Sequence, residues 1–107
     1  MIEHSEAALT LERFFQSMEK KLLNFPILGK PVYARPISCE QMDILSKYTG
    51  YAYNVRLVQM ACVDEAGKPV FLETDIFRLM RSDPAVISAV SNQIVNHVFT
   101  SFDAIKN

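Results

Sequence analysis

The stretch from Tyr51 to Phe71, YAYNVRLVQMACVDEAGKPVF, leaves the chain few ways to fold. Tyr51, Val55, Val58 and Cys62 recur at i, i+4, i+7 and i+11, the spacing that aligns residues on one helical face. A second row, Tyr53, Leu57, Met60 and Ala61, covers much of the remaining surface, and Asn54, Arg56 and Gln59 interrupt it. A helix that is apolar nearly all round belongs in a core with neighbours on several sides. The apolar run stops at Asp64, and Asp-Glu-Ala-Gly-Lys-Pro reads as a turn that returns Phe71 to the core. A strand reading competes, because Val55, Leu57, Val58 and Val63 suit β structure and the turn could close a hairpin onto Pro69–Leu72. Strict alternation fails at Gln59, which favours the helix.

The flanking segments read as further helices. Residues 5–23 carry an apolar stripe of Ala8, Leu11, Phe15, Met18 and Leu22, widened by Phe14, with Ser5 as N-cap. This first helix docks on its own domain or on a partner, since helices owe most of their stability to packing such a face. Residues 24–36 hold three prolines and a glycine and read as a connector, with Val32–Arg35 as a short strand. Ser38 and Gln41 stand in capping-box relation at the start of a second helix, in which Met42, Leu45 and Tyr48 face inward and Gly50 supplies a left-handed end. Thr74 caps a short helix through Met80. Ser82 or Asp83, followed by Pro84, opens a last helix over about 84–102. Its row is Ile87, Val90, Ile94 and Val98, flanked by Val95, Phe99 and Phe102, and it is nearly free of charge between Asp83 and Asp103. A helix of that kind is buried or shared with another subunit. The expected architecture is a single mainly α domain over 1–107, with a core over 32–102, about five helices and at most a minor two-stranded β element.

Composition sets bounds on function. Half of the 107 residues are apolar, too many for disorder and enough for surplus apolar surface that a homo-oligomer or another partner would cover. The net charge of -1 gives no electrostatic reason to expect nucleic acid or an anionic membrane. No apolar run approaches the ~20 residues that span a bilayer, and the acidic N-terminus does not read as a signal peptide, so a soluble intracellular protein is expected. Cys39 and Cys62 read as two reduced, buried thiols.

Chemistry-bearing patterns are sparse. His4 and His97 lack neighbouring ligands, so no metal site and no cofactor are expected. The isolated glycines cannot cradle a phosphate. Asp64 and Glu65 lack the ligand spacing of a calcium loop. Arg35 and Arg56 read as solvated or paired with Glu40, Asp64 or Glu65 rather than as substrate ligands. No nucleophile–base arrangement marks an enzyme. Phe14, Phe15, Val98, Phe99 and Phe102, hydrophobes near the two ends of the chain, are the candidate partner-binding residues.

The order of short motifs adds a resemblance. Val32-Tyr33-Ala34-Arg35-Pro36-Ile37-Ser38, then Glu40, then an apolar helix, then Val63-Asp64-Glu65-Ala66-Gly67-Lys68-Pro69-Val70-Phe71 resembles the phage tail assembly chaperone family over roughly residues 32–100. The resemblance implies a mainly helical, non-catalytic protein of the host bacterial cytoplasm that coats the tape measure protein during tail morphogenesis and is absent from the mature virion. It implies the tail tube protein as a second partner in longer, frameshifted forms; a chain ending at Asn107 would be the short form or belong to a system without one. The alternative is a structural tail completion or head–tail connector subunit. The motif positions look structural and carry no site residues over.

Overall fold

The computed structural model describes residues 20–27 and 29–96. Their elements are strands β1 (Lys21–Ile27) and β2 (Lys30–Ala34), helices α1 (Cys39–Leu45) and α2 (Gly50–Ala61), strand β3 (Cys62–Val63), a 3-10 turn (Glu73–Asp75), and helices α3 (Ile76–Met80) and α4 (Pro84–Ile94). The three strands form one antiparallel sheet in the order β1-β2-β3. Among the described residues there are four α-helices and a three-stranded sheet, which overturns the expected mainly α domain of about five helices with at most a two-stranded element: the domain is mixed α and β.

The sheet grows from a hairpin of which the sequence reading found one arm, the short strand expected at Val32–Arg35 and observed at Lys30–Ala34, and passed over the other. Leu23 and Phe25 on β1, and Val32 and Ala34 on β2, alternate inward, and Ile27 pairs with Lys30 across a two-residue turn. Gly29 takes φ 77 there, a left-handed conformation that a side chain would strain. Pro26 sits in this edge strand, where the register shifts between Leu23 and Ile27, one of the few places a sheet tolerates proline. Lys21, Leu22 and Leu23, the expected end of the first helix, therefore belong to a strand. Residues 5–19 lie outside the described residues.

The central helix forms where the apolar rows place it, and it passes straight into β3. Ala34 pairs with Cys62 and Tyr33 with Val63, and the Arg35 N–H donates to the Ala61 carbonyl at 2.8 Å. The favoured helix reading therefore holds to Ala61, with Val55, Leu57 and Val58 helical, and of the strand reading only Val63 and its bridge to Pro69 are realised. That turn is closed by Asp64, whose Oδ1 accepts from the Ala66 and Lys68 N–H groups at 2.9 Å each, while Val63 bridges Pro69 and Val70 N–H reaches the Cys62 carbonyl at 3.0 Å.

The capping box of α1 is present: Gln41 N–H donates to Ser38 Oγ and Ser38 N–H to Gln41 Oε1, both at 3.1 Å. The helix ends at Leu45, however, and Gly50 is not its cap. Its positive φ of 61 opens α2 instead, at the corner between the two helices. Leu45 is buried and Tyr48 half-buried, but Met42 is exposed. Thr74 caps nothing; the Asp75 carboxylate accepts from Leu72 N–H at 2.8 Å ahead of α3. At α4, Asp83 Oδ1 takes the Ala85 N–H at 2.9 Å and Pro84 fills the first turn, as expected.

Two clusters make the core. The larger joins the inner sheet residues to Leu45, Leu57, Val58, Ala61, Val90 and Ile94; the smaller joins Val55, Leu79 and Ile87, with Phe71 and Ile76 against it. Helix α2 thus packs on α4, α3 and α1 at once, which is why it is apolar on so much of its surface. The three predicted α4 positions Ile87, Val90 and Ile94 all face inward; Val98 lies beyond the described residues.

Candidate partner-binding surface

Where the apolar residues outnumber the inward positions, they come to the surface. On α3, Ile76 and Leu79 turn toward α2 and α4, which leaves Phe77 and Met80, three residues apart on the same side, facing solvent. Phe77 is 79% exposed and Met80 47%. Leu72, just ahead of the 3-10 turn, is 59% exposed, and Val86 on α4 is 54% exposed. An aromatic ring this open is uncommon on a surface that meets only water, and aromatic and methionine side chains are enriched where proteins meet. Beside them, Val70, Phe71, Leu79, Asp75, Arg78 and Ser82 line a depression of about 360 Å3.

A second groove, about 240 Å3, opens where α1, α2 and the 62–70 turn converge. Ile44, Met60 and Pro69 give it an apolar wall, and Arg35 and Arg56 bring positive charge. The Arg56 guanidinium lies 4.0 Å from the centre of the Tyr48 ring, a cation–π contact that fixes it. Among the described residues neither arginine is paired with Glu40, Asp64 or Glu65; of the two readings from sequence, Arg35 is the solvated one and Arg56 rests on Tyr48.

Of the candidate partner residues, Phe14, Phe15, Val98, Phe99 and Phe102 all lie outside the described residues, as do His4 and His97. The surface that the fold does present, around Leu72, Phe77 and Met80, escaped the sequence reading because Phe77 and Met80 sit in a five-residue helix, too short for periodicity to separate its faces. Both cysteines are free, but only Cys62 is buried; Cys39, at the start of α1, is exposed. Burial pushes the Cys62 thiol up to about 12. Among the described residues no group of three or more His, Cys, Asp or Glu side chains could hold a metal ion, and no helix is long and apolar enough to cross a membrane.

No protein-family profile matches the chain, and no curated protein does. Among solved structures, the chain is similar to the tail assembly chaperone of bacteriophage HK97, with a TM-score of 0.58 at 18% identity. The similarity covers 81% of this chain and 95% of that one, so it concerns the whole architecture of the neighbour rather than a shared fragment. The motif order over residues 32–100 and the three-dimensional arrangement point the same way. The chain has the fold of a phage tail assembly chaperone.

Proposed function

We propose that this protein acts in phage tail assembly as a non-catalytic chaperone that binds the tape measure protein. The observation that carries this reading is the fold it shares with the HK97 tail assembly chaperone. The surplus of exposed apolar side chains supports it, because a long helical client offers an apolar face that such a surface can cover until it is enclosed. The protein works in the host bacterial cytoplasm, in several copies, and leaves before the virion is complete; the tail tube protein is a second partner where a longer form is made. Phe77 and Met80 on α3, and Phe14, Phe15, Val98, Phe99 and Phe102 toward the termini, supply the client contacts.

The test is a pull-down of the tagged chain from cells expressing the parent phage genome, with mass spectrometry of what is retained, alongside analysis of purified particles. Retention of a long, helix-rich tail protein, and loss of this chain from finished particles, is the expected result. Persistence in particles would make it a structural component, such as a tail completion or head–tail connector subunit. Retention of no phage protein would overturn the reading.

A further inference from the structure

We infer that the groove between α1, α2 and the 62–70 turn is the docking site for an acidic, apolar-faced segment of a protein partner. Arg35 and Arg56 receive its carboxylate, and Ile44 and Met60 receive its aliphatic side chain. In the chaperone, that segment belongs to the client, a part of the inference that rests on the proposed function.

Four observations converge on this occupant. First, the Arg56 guanidinium is held in place, and Arg35 lines the same groove from the end of the sheet. Arg35 leaves the sheet through its N–H bond to Ala61, and its side chain is exposed; Arg56 is stacked on Tyr48. A guanidinium fixed in position recognises a carboxylate at less entropic cost than a free one. Second, the neighbouring amides already have structural work. Gln41 closes the α1 capping box, and Gln59 Nε2 donates to the Phe71 carbonyl at 3.5 Å. The arginines are therefore the groove's cationic donors, the ones that match a carboxylate in charge as well as in hydrogen bonding. Third, the wall is aliphatic, formed by Ile44, which is 41% exposed, with Met60 and Pro69. Fourth, the volume of about 240 Å3 lies below the roughly 300–1,000 Å3 of small-molecule pockets and suits one or two protein side chains. Glu73 also lines the groove, and the chain's net charge is -1, which together disfavour a polyanion such as nucleic acid.

The first probe is a labelled, end-blocked helical peptide with leucine and glutamate on one face, compared with its counterpart carrying lysine for every glutamate. Binding to the full chain is read by fluorescence anisotropy, and the methyl resonances of Ile44 and Met60 report where the peptide sits. The acidic peptide is expected to bind, to shift those methyls, and to weaken as salt is raised. Arg35→Glu, an exposed substitution, weakens it by about tenfold or more without lowering the melting temperature, and Glu73→Gln tightens it. Equal binding of the lysine peptide, undiminished binding to Arg35→Glu, or shifts confined to other methyls would overturn the inference. The pull-down, repeated with Arg35→Glu, separates the two claims. Client retained by the wild type and lost by the variant supports both. Client retained equally by the two overturns the groove and leaves the chaperone reading standing. A wild type that retains no client while still binding the acidic peptide overturns the chaperone reading and leaves the groove.

Discussion

Asn54, Arg56 and Gln59 break the apolar surface of the central helix, and each has a structural partner. Asn54 Oδ1 accepts from Ser91 Oγ at 3.1 Å, tying α2 to α4; Arg56 stacks on Tyr48; Gln59 holds the Phe71 carbonyl. The sequence reveals such residues as exceptions to a pattern, but their partners lie 37 and 12 residues away for Asn54 and Gln59 and become visible only in the fold. Ser91 is buried, so Ser91→Ala is expected to cost about 1–2 kcal/mol in chemical denaturation by leaving the Asn54 amide oxygen short of its donor. Cys62 offers a pH-dependent test. Its thiol, raised from 9.0 to about 12, stabilises the fold fully below about pH 9 and loses that contribution as pH rises through the folded value. Cys62→Ala should cost about 1–2 kcal/mol at pH 7 from the cavity it leaves. The gap between wild type and variant should then narrow as urea titrations move from pH 9 to pH 11. A constant gap would show that the thiol titrates alike in both states.

At the scale of elements, local signals served helices well and the sheet poorly. The Ser38–Gln41 box, the Asp83-Pro84 start and the 64–69 turn were legible because each is a backbone problem solved by residues within three or four positions. Of the β1–β2 hairpin, only β2 was, as the short strand at Val32–Arg35. Leu22 fits the 3.6-residue stripe of the preceding segment, which drew Lys21–Leu23 into a helix, and the three prolines and glycine of residues 24–36 read as a connector. The alternation of Leu23 and Phe25, then Val32 and Ala34, around Gly29 was the signal available. The candidate groove was likewise beyond local reading, since Arg35, Ile44 and Met60 meet only when three elements converge. The hairpin turn can be tested at Gly29. A Cβ there would meet nothing within 4 Å, so Gly29→Ala carries the cost of its positive φ alone, about 1–2 kcal/mol, and should lower the melting temperature without changing the folded circular dichroism. A neutral result would mean that the turn relaxes to another type.

Across the whole molecule, the fold sorts its apolar residues into two populations that a composition of 50% hydrophobic cannot distinguish. Leu57 has no exposed surface and belongs to the cluster that joins β1, β2 and β3 to α1, α2 and α4. Phe77, a larger side chain, is left 79% in water. If the apolar excess serves association, the two must respond oppositely to substitution. Leu57→Ala opens a cavity where every neighbour is already packed, and should cost about 2–5 kcal/mol, enough to unfold much of a marginally stable small domain. Phe77→Ser removes little packing, and its effect on unfolding should stay within about 0.5 kcal/mol. Retention of the tail client, read in the same pull-down, should nevertheless fall with Phe77→Ser and with the double variant carrying Met80→Ser, because an exposed aromatic contributes its burial only when a partner arrives. Unfolding by Phe77→Ser would assign the ring to the core. Unchanged stability with full retention of the client would remove this face of α3 from the contact surface, leaving the terminal phenylalanines and the Arg35–Arg56 groove as the places where a partner is held.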